Sequence, residues 1–206
     1  MRTAPTCPRC RGPLVPPSVW SSAWTCRVHG EVGPLFPSRR PCREALAAVR
    51  SRARVPIWVP WPLPKGWLVT GFAEVGDDRS GGLAVAVALS GPSPLGGPAD
   101  LVIVAEEPGV GLGSSFAGLP GPDPGAGFGV SAPNAKVEID GHPVSMWAVG
   151  SDSTAAFAGE AFASWLWAVL WPDSAGILML EQLNLRDLRE SPPDLPYGAL
   201  CPRLEA

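Results

Sequence analysis

The residues best suited to chemistry in this chain are a spaced set of cysteines and one histidine. Cys7-Pro8-Arg9-Cys10 is followed, after fifteen intervening residues, by Cys26-Arg27-Val28-His29. A two-residue gap lets one tight turn aim two donors at a single ion, and two such turns complete a tetrahedron. Three thiolates and a neutral imidazole suit one Zn²⁺ and leave the site with a formal charge of −1. All four positions are filled by the protein, so the expected metal is structural and has no open place for water. Cys42 could replace His29 as the fourth donor but lacks the compact spacing, and Cys201 reads as a free thiol. A redox pair at Cys7 and Cys10 would sit beside a strand and open a helix, whereas Pro8 and Gly12 indicate a loop.

Over residues 5–35 the CPRC and CRVHG turns resemble the zinc-ribbon family. Arg11 stands where many ribbons place a glycine, with Gly12 one step later, while Gly30 after His29 fits the pattern. The whole chain is similar to a family of actinobacterial proteins of unknown function that open with a CPRC…WSSAWTC…HG segment. That resemblance implies that the Cys/His module and the domain after it belong together, and it assigns no activity. Trp20 and Trp24 lie between the ligand pairs and are expected to form the core of a module with few other large side chains.

Other candidates are weaker. Gly109, Gly111 and Gly113 form a G-x-G-x-G, but Ser114 takes the sixth place of a dinucleotide fingerprint, and the stretch 108–129 has no Lys or Arg to balance phosphate. It reads as a mobile surface loop. His142 in DGHP suits a turn. Glu106, Glu107 and Asp140 could serve a hydrolase or transferase with an active site near loop 106–131, although adjacent acids at strand ends are usually solvated. No G-x-S-x-G, HExxH or GK[ST] occurs, so no catalytic or cofactor-binding residue is assigned beyond the four ligands.

These residues need elements to position them. With 24 Gly and 26 Pro among 206 residues, yet 46% hydrophobic and only 17% charged, the chain predicts a packed core with long loops. The reading is a zinc ribbon at 1–37, a basic helix or linker at 38–55, an α+β domain at 56–190 and an extended tail at 191–206. Ser38 is a candidate N-cap, Pro41 falls in the first turn, and Ala45, Leu46 and Val49 share a face. VPIWVPWPLPKGW predicts an edge strand or extended wrap, with Trp58, Trp61 and Trp67 packing the ribbon onto the larger domain. GWLVTGFAEV and GLAVAVALSG around an Asp/Gly-rich turn predict a hairpin, ADLVIVAEE a third strand, and residues 136–149 a second hairpin. From Ser153 to Trp171, Phe157, Ala158, Ala161, Phe162, Trp165 and Val169 are spaced for one helical face closed by Pro172. ILMLE at 177–181 is expected as a last strand, parallel to 144–149. The fold class is therefore α+β: a mainly antiparallel sheet with one long packed helix.

Residues 1–54 carry ten arginines against two glutamates, a formal +8 that leaves −11 for the remainder. Such asymmetry suits a protein partner, nucleic acid bound through the basic N-terminal region, or the acidic remainder of the chain itself. The most apolar stretch, 155–171, is too short to span a bilayer and contains Glu160, so no membrane insertion is expected. The opening MRTAPTCPRC has no apolar signal core, which points to the cytoplasm, where thiols stay reduced. The function read from these features is a non-catalytic binding or regulatory protein with one structural zinc.

Overall fold

The computed structural model describes residues 4–150 and 154–205. Three two-residue strands, β1 (Leu14–Val15), β2 (Thr25–Cys26) and β3 (Gly30–Glu31), form a small antiparallel sheet in the order β1-β2-β3. The rest is built on nine strands: β4 (Trp58–Pro60), β5 (Leu68–Val75), β6 (Ala84–Pro92), β7 (Pro98–Glu106), β8 (Ala135–Ile139), β9 (His142–Ala148), β10 (Ala155–Ala161), β11 (Ser164–Trp171) and β12 (Leu183–Asp187). Their order is β4-β12-β8-β9-β10-β11-β7-β6-β5, antiparallel throughout except that β12 lies parallel to β8. The sheet curls until β4 comes against β7.

Alternation along the strands fills both faces. On β7, Leu101, Ile103 and Ala105 point into the curl with Ile57, Val59, Ile139, Met146 and Leu185. Val102 and Val104 point outward, into a second core with Leu35, Leu112, Phe116, Trp167 and Leu204. Sheets covered on both faces read as continuous apolar runs rather than alternating ones.

That double burial overturns the α+β expectation. The chain is mostly β, with 38% of residues in strands and 12% helical, and no long packed helix exists among the described residues. Residues 155–171, expected as one helix, are the hairpin β10–β11; Ser153, its expected start, lies outside the described residues. Phe157, Ala158, Ala161, Trp165 and Val169, on the two strands of a central hairpin, mimic helical spacing, and the Phe162-Ala163 turn carries none of the Gly, Asn or Pro that announce a reversal. Gly159 was the contrary signal: a Cβ there would lie 2.5 Å from the Ser145 carbonyl oxygen of the neighbouring strand. ILMLE is not a strand either. Residues 173–180 form a 3₁₀ turn, and the last strand is β12, whose Leu183 and Leu185 alternate inward beside β8 rather than beside 144–149.

The two hairpins at 68–92 and 135–148, the β7 strand and the proline-bearing edge β4 stand where the sequence placed them. The basic segment forms α1 (Arg43–Arg50) with Ala45, Leu46 and Val49 buried, but its N-cap is Cys42, whose Sγ accepts from the Ala45 N–H at 3.3 Å, not Ser38.

Two segments distant in sequence, 36–39 and 196–198, lie along β5. Arg39 and Phe72 exchange backbone hydrogen bonds, Phe36 N–H donates to the Glu74 carbonyl, and Val69 is bracketed by Pro196 and Gly198.

Much of the charge asymmetry closes within the molecule. Arg52 grips Glu74 through two bonds of 2.8 and 2.7 Å, Arg54 meets Glu107 at 3.3 Å, and Arg43 meets Asp194 at 2.7 Å. Glu74 is only 3% exposed, whereas the Arg43–Asp194 pair stands in solvent. Arg52→Lys, which keeps the charge but loses the planar fork, should therefore cost about 1–2 kcal/mol in chemical denaturation. Arg43→Lys should leave the midpoint unchanged; equal effects from the two would show that burial does not set their weights.

Candidate metal centre

The Cys7-Cys10 turn is closed by two backbone bonds, Cys7 N–H to the Gly12 carbonyl at 2.8 Å and Arg11 N–H to the Cys7 carbonyl at 2.9 Å. The second pair rides on the small sheet: Cys26 ends β2, opposite Leu14 and Gly30, and His29 directly precedes β3. Each turn needs a left-handed residue straight after its second donor. Gly30 supplies one at φ +69°, and Arg11 supplies the other at φ +57°. The position after Cys10 is thus left-handed but filled by an arginine, whose guanidinium sits over the Phe116 ring at 4.8 Å.

These turns bring together the donor atoms of Cys7, Cys10, Cys26 and His29, all within 4.8 Å of one another. Cys10 Sγ lies 3.7 Å from Cys26 Sγ, and His29 Nδ1 lies 3.5 Å from Cys7 Sγ and 3.7 Å from Cys26 Sγ. All three cysteines are free, and the sulfur separation is far beyond the ~2.05 Å of a disulfide. Backbone N–H groups of Val28 and His29 point at the Cys26 sulfur and push its pKa down to about 6. Burial pushes Cys7 up to about 11, against the backbone N–H groups of Arg9 and Cys10. The cluster thus fits a metal ion by donor type and by spacing.

Cys42 lies outside the cluster, spent on capping α1, and Cys201 is buried in the outer core. His142 is exposed at the start of β9.

The module is held to one end of the large sheet, where Val75, Ala84, Glu106 and Trp165 align across β5, β6, β7 and β11. Arg9 donates from Nη2 to the Gly109 carbonyl and from Nε to the Val110 carbonyl at 3.2 Å. On the other side Trp24 Nε1 donates to Asp77 at 3.0 Å and Arg79 donates to the Ser22 carbonyl at 3.0 Å. Leu35 links the two sheets by bridging Thr6 and Val75. Trp24 is therefore docking material, and Trp20 is not core at all. It stands 93% exposed beside an equally exposed Val19 in a two-residue turn between Ser18 and Ser21. Trp67 is buried beside Gly91 on the large sheet, and Trp58 and Trp61 lie with β12, so none of the three packs the ribbon.

The segment expected as a mobile loop is the platform for Arg9 and Arg11. Residues Leu112–Phe116 form a short helix, α2, and Trp167 lies on Gly113 so closely that a Cβ there would meet the indole at 2.2 Å. Glu106 is fully buried rather than solvated: its carboxylate accepts from the N–H of Leu112 at 2.7 Å and of Gly113 at 3.2 Å. Burial outweighs those bonds and pushes its pKa up to about 7. Asp123 ties the far side, accepting from Gly109 N–H at 2.9 Å and Trp165 Nε1 at 2.7 Å. The only sequence signal for this arrangement was an acid three residues before a Gly-rich stretch. The carboxylates considered for catalysis are not brought together: Glu107 faces Arg54, and Asp140 is exposed at the tip of the β8–β9 hairpin.

No helix among the described residues is long and apolar enough to cross a membrane. No curated protein and no solved structure matches the chain. The chain belongs to a family of unknown function, DUF6758, which it matches over residues 1–204.

Proposed function

We propose that the protein is a non-catalytic binding or regulatory protein in which Cys7, Cys10, Cys26 and His29 hold one structural Zn²⁺ as a zinc ribbon. The observation that carries this reading is the spacing of the four donors. A tetrahedron with Zn–S of ~2.3 Å and Zn–N of ~2.05 Å has S···S edges of about 3.8 Å and S···N edges of about 3.6 Å. Three of the six edges of the cluster match: Cys10–Cys26 at 3.7 Å, Cys7–His29 at 3.5 Å and Cys26–His29 at 3.7 Å, and the other three lie within 4.8 Å. With all four places filled, the ion has no position for substrate or water, and its work is to fix the fold of residues 5–35. The need for thiolates suits that work to a reducing compartment, the cytoplasm.

The binding role rests on what the metal would hold in place. The stretch 12–25 contains no charged residue and presents Val19 and Trp20 to solvent at its tip, which suits an apolar pocket on a protein partner. Six of the ten arginines in residues 1–54 are engaged internally, which weakens the nucleic-acid reading. A hydrolase or transferase reading has only Glu106 in its favour, and that carboxylate is sealed under α2.

Native mass spectrometry of protein purified without chelator should show one zinc per chain, absent in Cys26→Ser. A metal-free chain whose Cys7 and Cys10 oxidise reversibly would replace this reading with a redox pair.

A further inference from the structure

The curl of the large sheet leaves a depression of about 500 Å³ at the end away from β5, with walls from β4, β12, the β8–β9 turn and the β10–β11 turn. Its volume is that of a small-ligand site. Trp58, Trp61 and Phe162 supply the aromatic wall, the rings of Trp58 and Phe162 meeting at 5.7 Å and 46°. Its charged lining is Glu138, Asp140, Asp187 and Glu190 against Arg186 and Arg189, a net −2. Arg189 is already held by Asp187 at 2.8 Å.

Two features are hard to explain as packing. The hairpin turns at the mouth are both two-residue reversals with both central φ values positive. Asp140-Gly141 is the composition such a turn prefers. Phe162-Ala163, at φ +53° and +56°, is not: a bulky aromatic in the left-handed region is an outlier that costs conformational energy. Core burial does not repay that cost, because Phe162 is 66% exposed. What the strained turn does is stand a ring against Trp58 at the rim of an acidic depression. Trp58 itself is buried on the same wall, and its Nε1 has no hydrogen-bond partner among the described residues.

Aromatic faces attract cations through the ring quadrupole, and a lining of net negative charge favours the same sign of ligand. We propose that this depression is a binding site for an organic cation, an alkylammonium or guanidinium group, held between the Phe162 and Trp61 rings and the carboxylates of Asp140 and Glu190. A free amine and a Lys or Arg side chain of a partner protein present the same chemistry. The site does not depend on the metal centre, which lies against β5 and α2.

The test is titration of the full, metal-loaded chain with butylammonium and, separately, with a blocked Gly-Lys-Gly peptide, followed by tryptophan fluorescence and calorimetry. Sodium butyrate is the anionic control. Saturable binding of at least one cation, with none of butyrate, is expected; tighter binding of the peptide would identify the source as a protein side chain, and of butylammonium as a free amine. Asp140→Asn keeps a residue that tolerates the left-handed turn but removes the charge, and should weaken binding about tenfold. Phe162→Asn relieves the strained turn, so it should raise the melting temperature while abolishing binding. Failure of both cations to saturate below about 10 mM, a depth of only ~3 kcal/mol, would overturn the proposal. So would a Phe162→Asn variant that melts lower and binds as well as the parent, because Phe162 would then be a packing residue for Trp58.

Discussion

Cys26→Ser, or treatment with a strong chelator that strips the proposed zinc, is expected to release residues 5–35 from the sheet and loosen a second segment a hundred residues away. The coupling runs through two side chains. Arg9 and Arg11 flank the second metal donor, and their guanidinium groups are fixed on Gly109, Val110 and Phe116 only because the Cys7-Cys10 turn holds its shape. A four-ligand zinc site contributes its binding free energy to folding, of order ten kcal/mol in small modules, so its loss cannot be absorbed locally. Hydrogen exchange should show amides of residues 109–116 opening about a hundredfold faster in the metal-free protein. The core inside the curl draws its buried residues from Ala45 onward, with Cys42 packed against it and none of residues 5–35, so strands β6–β11 should keep their protection. Unchanged exchange at 109–116 would mean that the module rides passively on the sheet.

The second large effect is a pH dependence that runs opposite to the usual carboxylate pattern. Glu106 titrates near pH 7 in the folded chain and near its ordinary 4.5 when unfolded, because burial disfavours its charge. A raised folded value means that its contribution is whole below about pH 4.5 and is lost as pH climbs through 7. Over that window the loss approaches ~3 kcal/mol, at about 1.36 kcal/mol for each pH unit separating the folded and unfolded values. Urea denaturation between pH 5 and 8 should therefore show stability falling with rising pH. Glu106→Gln should flatten the profile, even though its amide can accept from only one of the Leu112 and Gly113 N–H groups and the variant starts lower at pH 5. A profile for Glu106→Gln as steep as the parent's would place the titrating group elsewhere.

The clustering of Cys7, Cys10, Cys26 and His29 was legible from spacing alone, because two short turns with a left-handed residue after each bring the four donors together. Even Arg11 signalled its place by departing from the glycine pattern. The hairpins at 68–92 and 135–148 were legible for a similar reason, each having Asp and Gly at its reversal. What failed were features that distant partners set against the local pattern. Residues 155–171 look helical because Phe157, Ala158, Ala161, Phe162, Trp165 and Val169 are spaced as on a helix face, and only pairing between β7 and β9 makes them strands. Glu106 looks solvated beside Glu107 until α2 closes over it, and that closure depends on Trp167 finding the one residue, Gly113, with no side chain to obstruct it. Trp20 was expected inside because small modules have little else to bury; Trp24 and Leu35 anchor the module instead, by reaching the neighbouring sheet.

The backbone exchanges along β5 bear on how the protein behaves in company. A long outermost strand with free N–H and C=O groups would template the addition of another chain, and β5 is eight residues long and buried at all but its first. Here Arg39 and Phe36 from one segment, and Pro196 and Gly198 from the other, occupy those groups. At the opposite rim β4 is only three residues long and ends in Pro60. Segments 36–39 and 196–198 thus act as guards against polymerisation, and a fragment trimmed to the sheet alone would carry a sticky rim that they keep hidden.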